Sequence, residues 1–293
     1  MQPGRASATA EGAALLRAAH QLFDEPRILD DPVVLPLLGP DAAALVQANR
    51  EALESPVRRR LRAAIVLRSR FAEDCLLEAV GRGVRQYVIL GAGLDSFAYR
   101  NPCTPDALRV YEVDHPDTQA RKRERLHAAG IALPVALTFV PADLEREPPA
   151  AALARNGFDP ALPTFVSWLG VTVYLGRDAV LDTLSWAAGL APGSEIVFSY
   201  VAEPASLGAA ERAALDALAR RTAEAGEPWR TFFAPAALAR ELGRLGFTDV
   251  DDLGPAQAFA RYFRDRRDGL RPGGAAHLMR ARLPIDLEGS WKR

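Results

Sequence analysis

The stretch that decides the fold is residues 87–100, YVILGAGLDSFAYR. A short apolar run that ends in glycine is typical of a buried parallel strand. Gly91 and Gly93 would then lie at the carboxyl end of that strand, where ligands of open α/β sheets bind. Glycine has no side chain and accepts positive φ, so the backbone can approach a ligand closely there. The stretch therefore predicts a nucleotide-type cofactor site.

An acidic residue that binds ribose is expected at the end of the second strand, about 20 residues after the glycine turn. Asp114 ends the apolar run 108–114 and follows Gly91 by 23 positions (114 − 91). Glu112 is the alternative, because side chains two apart share one face of a strand. The spacing favours Asp114.

Further apolar runs alternate with helical stretches along the chain. The predicted strands are 86–90, 108–114, 137–144, 163–169, 195–201, one within GFTDVDDLG (246–254), and a last one within 275–285. Alternation of this kind predicts an α/β fold with a doubly wound, mostly parallel, seven-stranded sheet. We expect a single domain over 1–293, divided into a helical N-terminal extension (1–83), the cofactor-binding sheet (84–202), a helical lid insertion (203–233) and a C-terminal part (234–293).

Composition excludes several classes of function. The net charge of −1 offers no attraction to nucleic acid or to an anionic membrane. No run of about 18 apolar residues predicts a membrane span. Cys75 and Cys103 form no CxxC pair, so neither a disulfide nor a metal site is expected. The first 20 residues lack the pattern of a signal peptide, and a cytoplasmic enzyme is expected.

The choice of cofactor depends on position 96. A dinucleotide-binding G-x-G-x-x-G motif would place glycine there, but the chain has Ser96. A cofactor with ribose and adenine but no pyrophosphate fits better, which points to S-adenosylmethionine. The alternatives are an NAD(P)-binding oxidoreductase, disfavoured also by the lack of a Tyr-x-x-x-Lys pair, and a non-catalytic protein that binds S-adenosylmethionine.

Four motifs occur in order: VILGAGLDSFAYR (88–100), VYEVDHP (110–116), VPADL (140–144) and SWLGVTVYL (167–175). Together they resemble the leucine carboxyl methyltransferase-like family of S-adenosylmethionine-dependent methyltransferases, whose bacterial branch includes polyketide carboxyl O-methyltransferases. The resemblance covers roughly residues 15–200. It implies the Rossmann-like fold of class I methyltransferases.

The resemblance also implies roles for individual residues. Gly91 and Gly93 would pack against the amino-acid part of the cofactor, and Asp114 would bind the ribose hydroxyls. Asp143, with Leu144, would hold the adenine. The alternative for Asp143 is a helix N-cap in ADLERE, since aspartate is a common cap.

Arg68 is a candidate for the cofactor carboxylate. It falls on the apolar stripe of the helix predicted over 58–83, which is formed by Leu61, Ile65, Ala72, Cys75, Leu76 and Ala79. An unpaired buried charge costs several kcal/mol, so Arg68 needs an anionic partner. The resemblance implies the carboxylate of S-adenosylmethionine. The alternatives are a salt bridge to Glu112 or Asp95, or a side chain that extends to solvent.

Leu169 departs from the family pattern, because members that act on protein carboxyl termini carry glutamate there. The departure argues against equivalence to a phosphatase-modifying enzyme, while methyl transfer is still expected. Trp168 and Leu169 could form an apolar wall against the adenosyl group, and a core role is the alternative for Trp168.

The acceptor is predicted from the scarcity of bases. A carboxylate is ionised at pH 7 and needs no general base, whereas a phenol or an alcohol does. Only four histidines occur. His115 is the candidate near the cofactor, with a turn role as the alternative, and Tyr174 is the candidate to orient an acceptor oxygen or to fill the core. We therefore expect O-methylation of a small-molecule or peptide carboxylate, with secondary metabolism as the candidate setting.

Aromatic residues cluster at the end of the predicted lid: Trp229, Phe232 and Phe233. They could receive an apolar acceptor or seal the lid to the sheet. The sequence makes no prediction of oligomeric state.

Overall fold

The computed structural model describes residues 8–144, 146–224 and 226–285. Seven strands form one sheet in the order β3-β2-β1-β4-β5-β7-β6. All neighbours are parallel except β7, which is antiparallel to both β5 and β6. The strands are β1 (Gln86–Leu90), β2 (Arg109–Asp114), β3 (Leu137–Pro141), β4 (Thr164–Trp168), β5 (Glu195–Val201), β6 (Asp249–Leu253) and β7 (Ala276–Arg282). The predicted doubly wound, mostly parallel, seven-stranded sheet is confirmed.

Helices cover both faces of this sheet. They are α1 (Ala8–Phe23), α2 (Val34–Leu38), α3 (Ala42–Ala48), α4 (Arg50–Leu53), α5 (Pro56–Gly81), α6 (Pro116–Ala128), α7 (Pro149–Ala154), α8 (Arg177–Ala188), α9 (Ala209–Glu224), α10 (Pro235–Leu245) and α11 (Pro255–Ala258). Every residue of β1 and β4 is buried, because apolar clusters pack on both faces of the sheet. In the parts of the chain that the structure describes, no helix is long and apolar enough to cross a membrane.

The long helix α5 joins the N-terminal extension to the sheet. Its residues Ala72, Cys75, Leu76 and Ala79 are buried as predicted. Leu61 and Ile65 are only partly buried, and they pack against the cluster formed by the N-terminal helices and not against the sheet.

The buried charge that sequence analysis missed on α5 is Arg62. Its guanidinium, which has no exposed surface, hydrogen-bonds both carboxylate oxygens of Asp24 and also contacts Glu54 at 2.6 Å. His20 Nδ1 donates to the same Asp24 carboxylate at 2.7 Å, since its Nε2 accepts from the N–H of Ile28. This network ties α1 and α4 to α5.

The insertion after β5 contains α9 and returns to the sheet through residues 230–233. The N–H of Phe233 donates to Val201 O, and Phe233 lies in the main core. Trp229 and Phe232 pack with Leu207 and Leu215 in a small cluster beneath α9. None of these three aromatic residues lines the cavity described below. Their role as an acceptor-binding surface is therefore not supported, and they seal the insertion to the sheet.

Candidate active site

A cavity of about 300 Å³ lies at the carboxyl ends of β1, β2 and β4. Three other parts of the chain close it: the first turns of α1, the middle of α5, and the segment 226–230 that follows α9. This is the edge of an open α/β sheet at which ligands bind. The parallel register explains the convergence, since Leu90 pairs with Val113 on one side and with Trp168 on the other.

The glycine turn after β1 requires glycine at both predicted positions. Gly91 has φ +66°, and a Cβ there would lie 2.5 Å from Val171 Cγ2. Gly93 has φ +48°, and its Cβ would lie 3.1 Å from the Ala10 side chain of α1. A substituted residue would be strained at either position, and at position 91 it would also clash. The bare backbone of the turn lines the cavity.

Asp114 lies at the cavity, and Glu112 does not. The N–H groups of Gly93 and His115 donate to the two oxygens of the Asp114 carboxylate. Burial raises the pKa of Asp114, while these two hydrogen bonds lower it. Glu112 is fully buried and accepts from Lys122 Nζ at 2.6 Å, so the alternative assignment is wrong.

Ser96 lies beneath the turn in a network of buried polar side chains. Its hydroxyl accepts from Arg17 Nη1 at 3.0 Å and from Arg100 Nε at 3.2 Å. Arg17 also reaches Asp31, and Arg100 forms a two-pronged pair with Glu73. The serine that argued against a dinucleotide site thus links the turn to α1 through Arg17 and, through Arg100 and Glu73, to α5.

Arg68 projects from α5 into the cavity. Its guanidinium packs on the backbone of Gly170, where a Cβ would lie 2.7 Å from Arg68 Cζ. It makes no hydrogen bond or ion pair with any residue that the structure describes, and burial lowers its pKa to about 10. The predicted salt bridge to Glu112 is wrong, because that carboxylate pairs with Lys122. Asp95 makes no hydrogen bond with Arg68, and its negative charge only raises the pKa of Arg68 slightly against the effect of burial.

Of the four residues predicted to contact the adenosyl group, three line the cavity and Trp168 does not. Asp143, Leu144 and Leu169 line it. The Asp143 carbonyl accepts from the N–H groups of Arg146 and Glu147 in a single turn, and the next described helix begins at Pro149, so Asp143 is not the N-cap of a described helix. Trp168 is 1% exposed and packs within the core, away from the cavity. Successive side chains along a strand point to opposite faces of the sheet. Trp168, the last residue of β4, therefore points into the core, and Leu169, the next residue, lies at the cavity.

His115 and Tyr174 both line the cavity. His115 is the N-cap of α6, and its Nδ1 accepts from the N–H of Asp117 at 3.2 Å. Tyr174 is half-buried in a 3₁₀ turn after β4, and its charge interaction with Arg68 shows that the two side chains are neighbours.

Sequence analysis missed the contributions of α1, of Gly170 and of the segment 226–230. Thr9, Ala10, Ala13 and Arg17 of α1 line the cavity, as does Arg230. Gly170 has φ +75°, a conformation that its place in the SWLG motif could have suggested. No local pattern marks Arg230, whose N–H donates to Val173 O at 2.7 Å.

Comparison with known proteins identifies the family. The family model described as "Leucine carboxyl methyltransferase" matches residues 10–188, which is 179 of 293 residues (188 − 10 + 1). The chain belongs to the leucine carboxyl methyltransferase family. The match includes every predicted cofactor residue from Arg68 to Leu169, so the resemblance of the four motifs is confirmed.

Relatives of this methyltransferase carry the same description. A Bacillus subtilis (strain 168) protein named "Putative S-adenosyl-L-methionine-dependent methyltransferase YktD" is 30% identical over 96% of this chain and 99% of its own length. A Mycobacterium marinum (strain ATCC BAA-535 / M) protein with the same type of name is 40% identical over 70% of this chain and 69% of its own. The chain is an S-adenosylmethionine-dependent methyltransferase, and the oxidoreductase and non-catalytic alternatives are set aside.

Solved structures share the fold. A methyltransferase structure from Thermobifida fusca YX superposes with a TM-score of 0.58 at 19% identity, covering 97% of both chains. A DUF574 family protein from Streptomyces avermitilis MA-4680 gives 0.56 at 20% identity, over 85% of this chain and 94% of its own. At these identities the likeness concerns the fold alone.

The residues at the cavity fit S-adenosylmethionine. Arg68 offers a guanidinium that no described residue pairs with, and the bare backbone at Gly91 and Gly93 leaves room for a closely packed ligand. Asp114 and Asp143 place carboxylate acceptors along the same cavity, as hydroxyl and amine donors require.

Proposed function

We propose that this methyltransferase transfers the methyl group of S-adenosylmethionine to a carboxylate oxygen of a small molecule or peptide. The observation that carries the proposal is the state of His115. It is the one histidine among the described cavity-lining residues, and its Nδ1 is engaged as the N-cap of α6. A carboxylate acceptor needs no base, because it is already ionised at pH 7.

The cofactor, when bound, supplies a methyl group on a sulfonium, which is electrophilic without further activation. We propose that Arg68 binds its carboxylate and Asp114 its ribose hydroxyls. Asp143, Leu144 and Leu169 would hold the adenosyl group. Each of these residues lines the cavity, and they come from α5, from the ends of β2 and β3 and from the turn after β4.

Two residues are suited to bind the acceptor. Arg230 lies at the exposed side of the cavity and makes no side-chain hydrogen bond or ion pair within the described parts of the chain. The hydrogen bond from its N–H to Val173 O holds it beside Tyr174. A guanidinium and a phenol hydroxyl together suit a carboxylate, one oxygen of which they would orient while the other faces the methyl group. Positioning of this kind supplies much of the rate of an in-line displacement.

The family supports the same acceptor chemistry, since its name refers to a leucine carboxyl group. The substitution of Leu169 for the glutamate of some members argues that the acceptor differs. A cytoplasmic location and a role in secondary metabolism stay predictions from the sequence.

The test is methyl transfer from labelled S-adenosylmethionine to a panel of carboxylic acids, peptides with free carboxyl termini, phenols and alcohols. A methyl ester product is recognised because mild alkali releases it as methanol. The decisive variant is His115→Asn, since asparagine also caps helices and so keeps α6 intact while it removes the imidazole. We expect turnover of the acid within about threefold of the wild-type rate, less than 1 kcal/mol in barrier. Loss of turnover with unchanged cofactor affinity would make His115 a general base and contradict a carboxylate acceptor.

A further inference from the structure

Lys122 is the single lysine among the described residues, although 36 residues of the chain are lysine or arginine. Its side chain is 1% exposed, and its Nζ donates to Glu112 Oε2 at 2.6 Å. The Glu112 side chain is fully buried as well. Desolvation of two ions often costs more than their attraction returns, so stability alone does not account for such a pair.

The pair lies directly beneath the cofactor cavity. Glu112 and Asp114 are two residues apart on β2, so they share one face of the strand with their Cα atoms about 7 Å apart. The N–H of Gly93 donates to Asp114, which links β2 to the glycine turn. At the far end of that turn, the Tyr99 ring lies 5.4 Å from Lys122 Nζ. Lys122 therefore contacts both segments that must stay in register to form the cofactor site.

Charges around the pair come from three elements. Burial is the largest cause that raises the pKa of Glu112, to about 7, and the charges of Asp95 on the glycine turn and Asp114 on β2 also raise it. Lys122 on α6 lowers it. Burial also raises the pKa of Asp114, and Lys122 and His115 lower it through their charges. Lys122 is thus the buried cation that offsets a cluster of carboxylates.

We propose that Lys122 is a positioning residue of the cofactor site, which pairs with Glu112, packs on Tyr99, and so holds the Asp114 carboxylate and the glycine turn in their binding geometry. The inference rests on the proposed role of Asp114 as the ribose ligand. A lysine suits the place because its compact ammonium is a point charge, whereas the planar fork of arginine needs more room and more acceptors.

The test is calorimetric binding of S-adenosylhomocysteine, which needs no acceptor, from about pH 5.5 to about pH 8.5. In Lys122→Met the Asp114 carboxylate loses its buried cation, so its pKa rises and it takes up a proton at higher pH. For each unit by which the pKa of Asp114 rises, the affinity at the acid end should fall about tenfold more than in wild type. In Glu112→Gln the cation remains, and Glu112, with a pKa of about 7, is already protonated at the acid end, so the acid loss should stay at the wild-type pH. A displacement to higher pH in Lys122→Met with none in Glu112→Gln is the signature of the proposal.

Three controls separate the explanations. Arg121→Met changes an exposed residue of the same helix and should bind as wild type does. Asp114→Asn tests the proposed function: if it keeps wild-type affinity, the ribose role fails, whatever Lys122 does. If Asp114→Asn loses affinity but Lys122→Met weakens binding by one constant factor at every pH, or not at all, the positioning role of Lys122 is refuted. A displacement in Glu112→Gln as large as that in Lys122→Met would refute it too. Should Lys122→Met not fold, as circular dichroism would show, Lys122→Gln takes its place, since it also removes the cation and keeps a group that can hydrogen-bond Glu112.

Discussion

Replacing Arg68 with methionine is expected to stabilise the ligand-free enzyme and to weaken cofactor binding. Without ligand, the guanidinium has no hydrogen-bond or ion-pair partner among the described residues. Burial lowers its pKa to about 10, which corresponds to a desolvation cost of about 3 kcal/mol. The cost applies at every pH below about 10, since the folded state disfavours the charged form. Partial exposure reduces it, so we expect the free energy of unfolding to rise by about 2 kcal/mol.

The same substitution removes the proposed partner of the cofactor carboxylate. A hydrogen-bonded charge pair contributes about 2 kcal/mol, so the dissociation constant for S-adenosylhomocysteine should rise about 30-fold. Urea unfolding of the ligand-free protein and calorimetry measure the two effects separately. The matched control is Arg70→Met on the same helix, because Arg70 is exposed and pairs with Asp74 at the surface. It should change stability by less than about 1 kcal/mol and leave affinity unchanged.

A fall in the unfolding free energy of ligand-free Arg68→Met would refute the unpaired-charge argument. Unchanged affinity in a folded variant would refute the assignment of Arg68 to the cofactor. The two results are independent, so each part of the reasoning can fail alone.

Three further predictions follow from single sites. Gly170→Ala should lower cofactor affinity about tenfold in calorimetry, because φ is +75° and the new Cβ would displace the Arg68 guanidinium; wild-type affinity would contradict this. Asp24→Asn should lower the urea-unfolding free energy by about 3 kcal/mol, since it removes the buried carboxylate of Arg62 and leaves only the partly exposed Glu54 to pair with it. Although burial raises the pKa of Asp24, its hydrogen bonds and charged partners lower it overall, so this stabilisation is present near neutral pH and is lost as pH falls through the folded-state pKa; a difference that persisted in acid would contradict it. Cys75 is buried with its pKa raised to about 12, so a thiol reagent at neutral pH should modify it only after unfolding; rapid reaction of the native protein would contradict this.

The glycine turn and its acidic partner were predictable because their chemistry is local. The apolar run of β1, the glycines after it and the spacing to Asp114 are read within about 30 residues. The fold class, the cofactor class and the family followed from the same pattern and its ordered motifs. Asp143, Leu144 and Leu169 were placed at the cavity by motif alone, and the structure brings them there.

What the sequence could not determine is which face of each helix meets which partner. Helical spacing drew attention to Arg68 but passed over Arg62, whose carboxylate partner Asp24 lies 38 residues away on another element. Trp168 and Leu169 are adjacent in the chain, yet one fills the core and the other lines the cavity.

The amino-acid order of this protein thus determined its strands, its turn and the class of ligand, since each depends on neighbours along the chain. Tertiary structure alone decided that Gly170 supports Arg68 from 102 positions away (170 − 68), and that Lys122 lies buried beside Glu112. The physical reason is that burial and charge pairing depend on which surfaces the packed elements bring together, and sequence spacing carries no record of that.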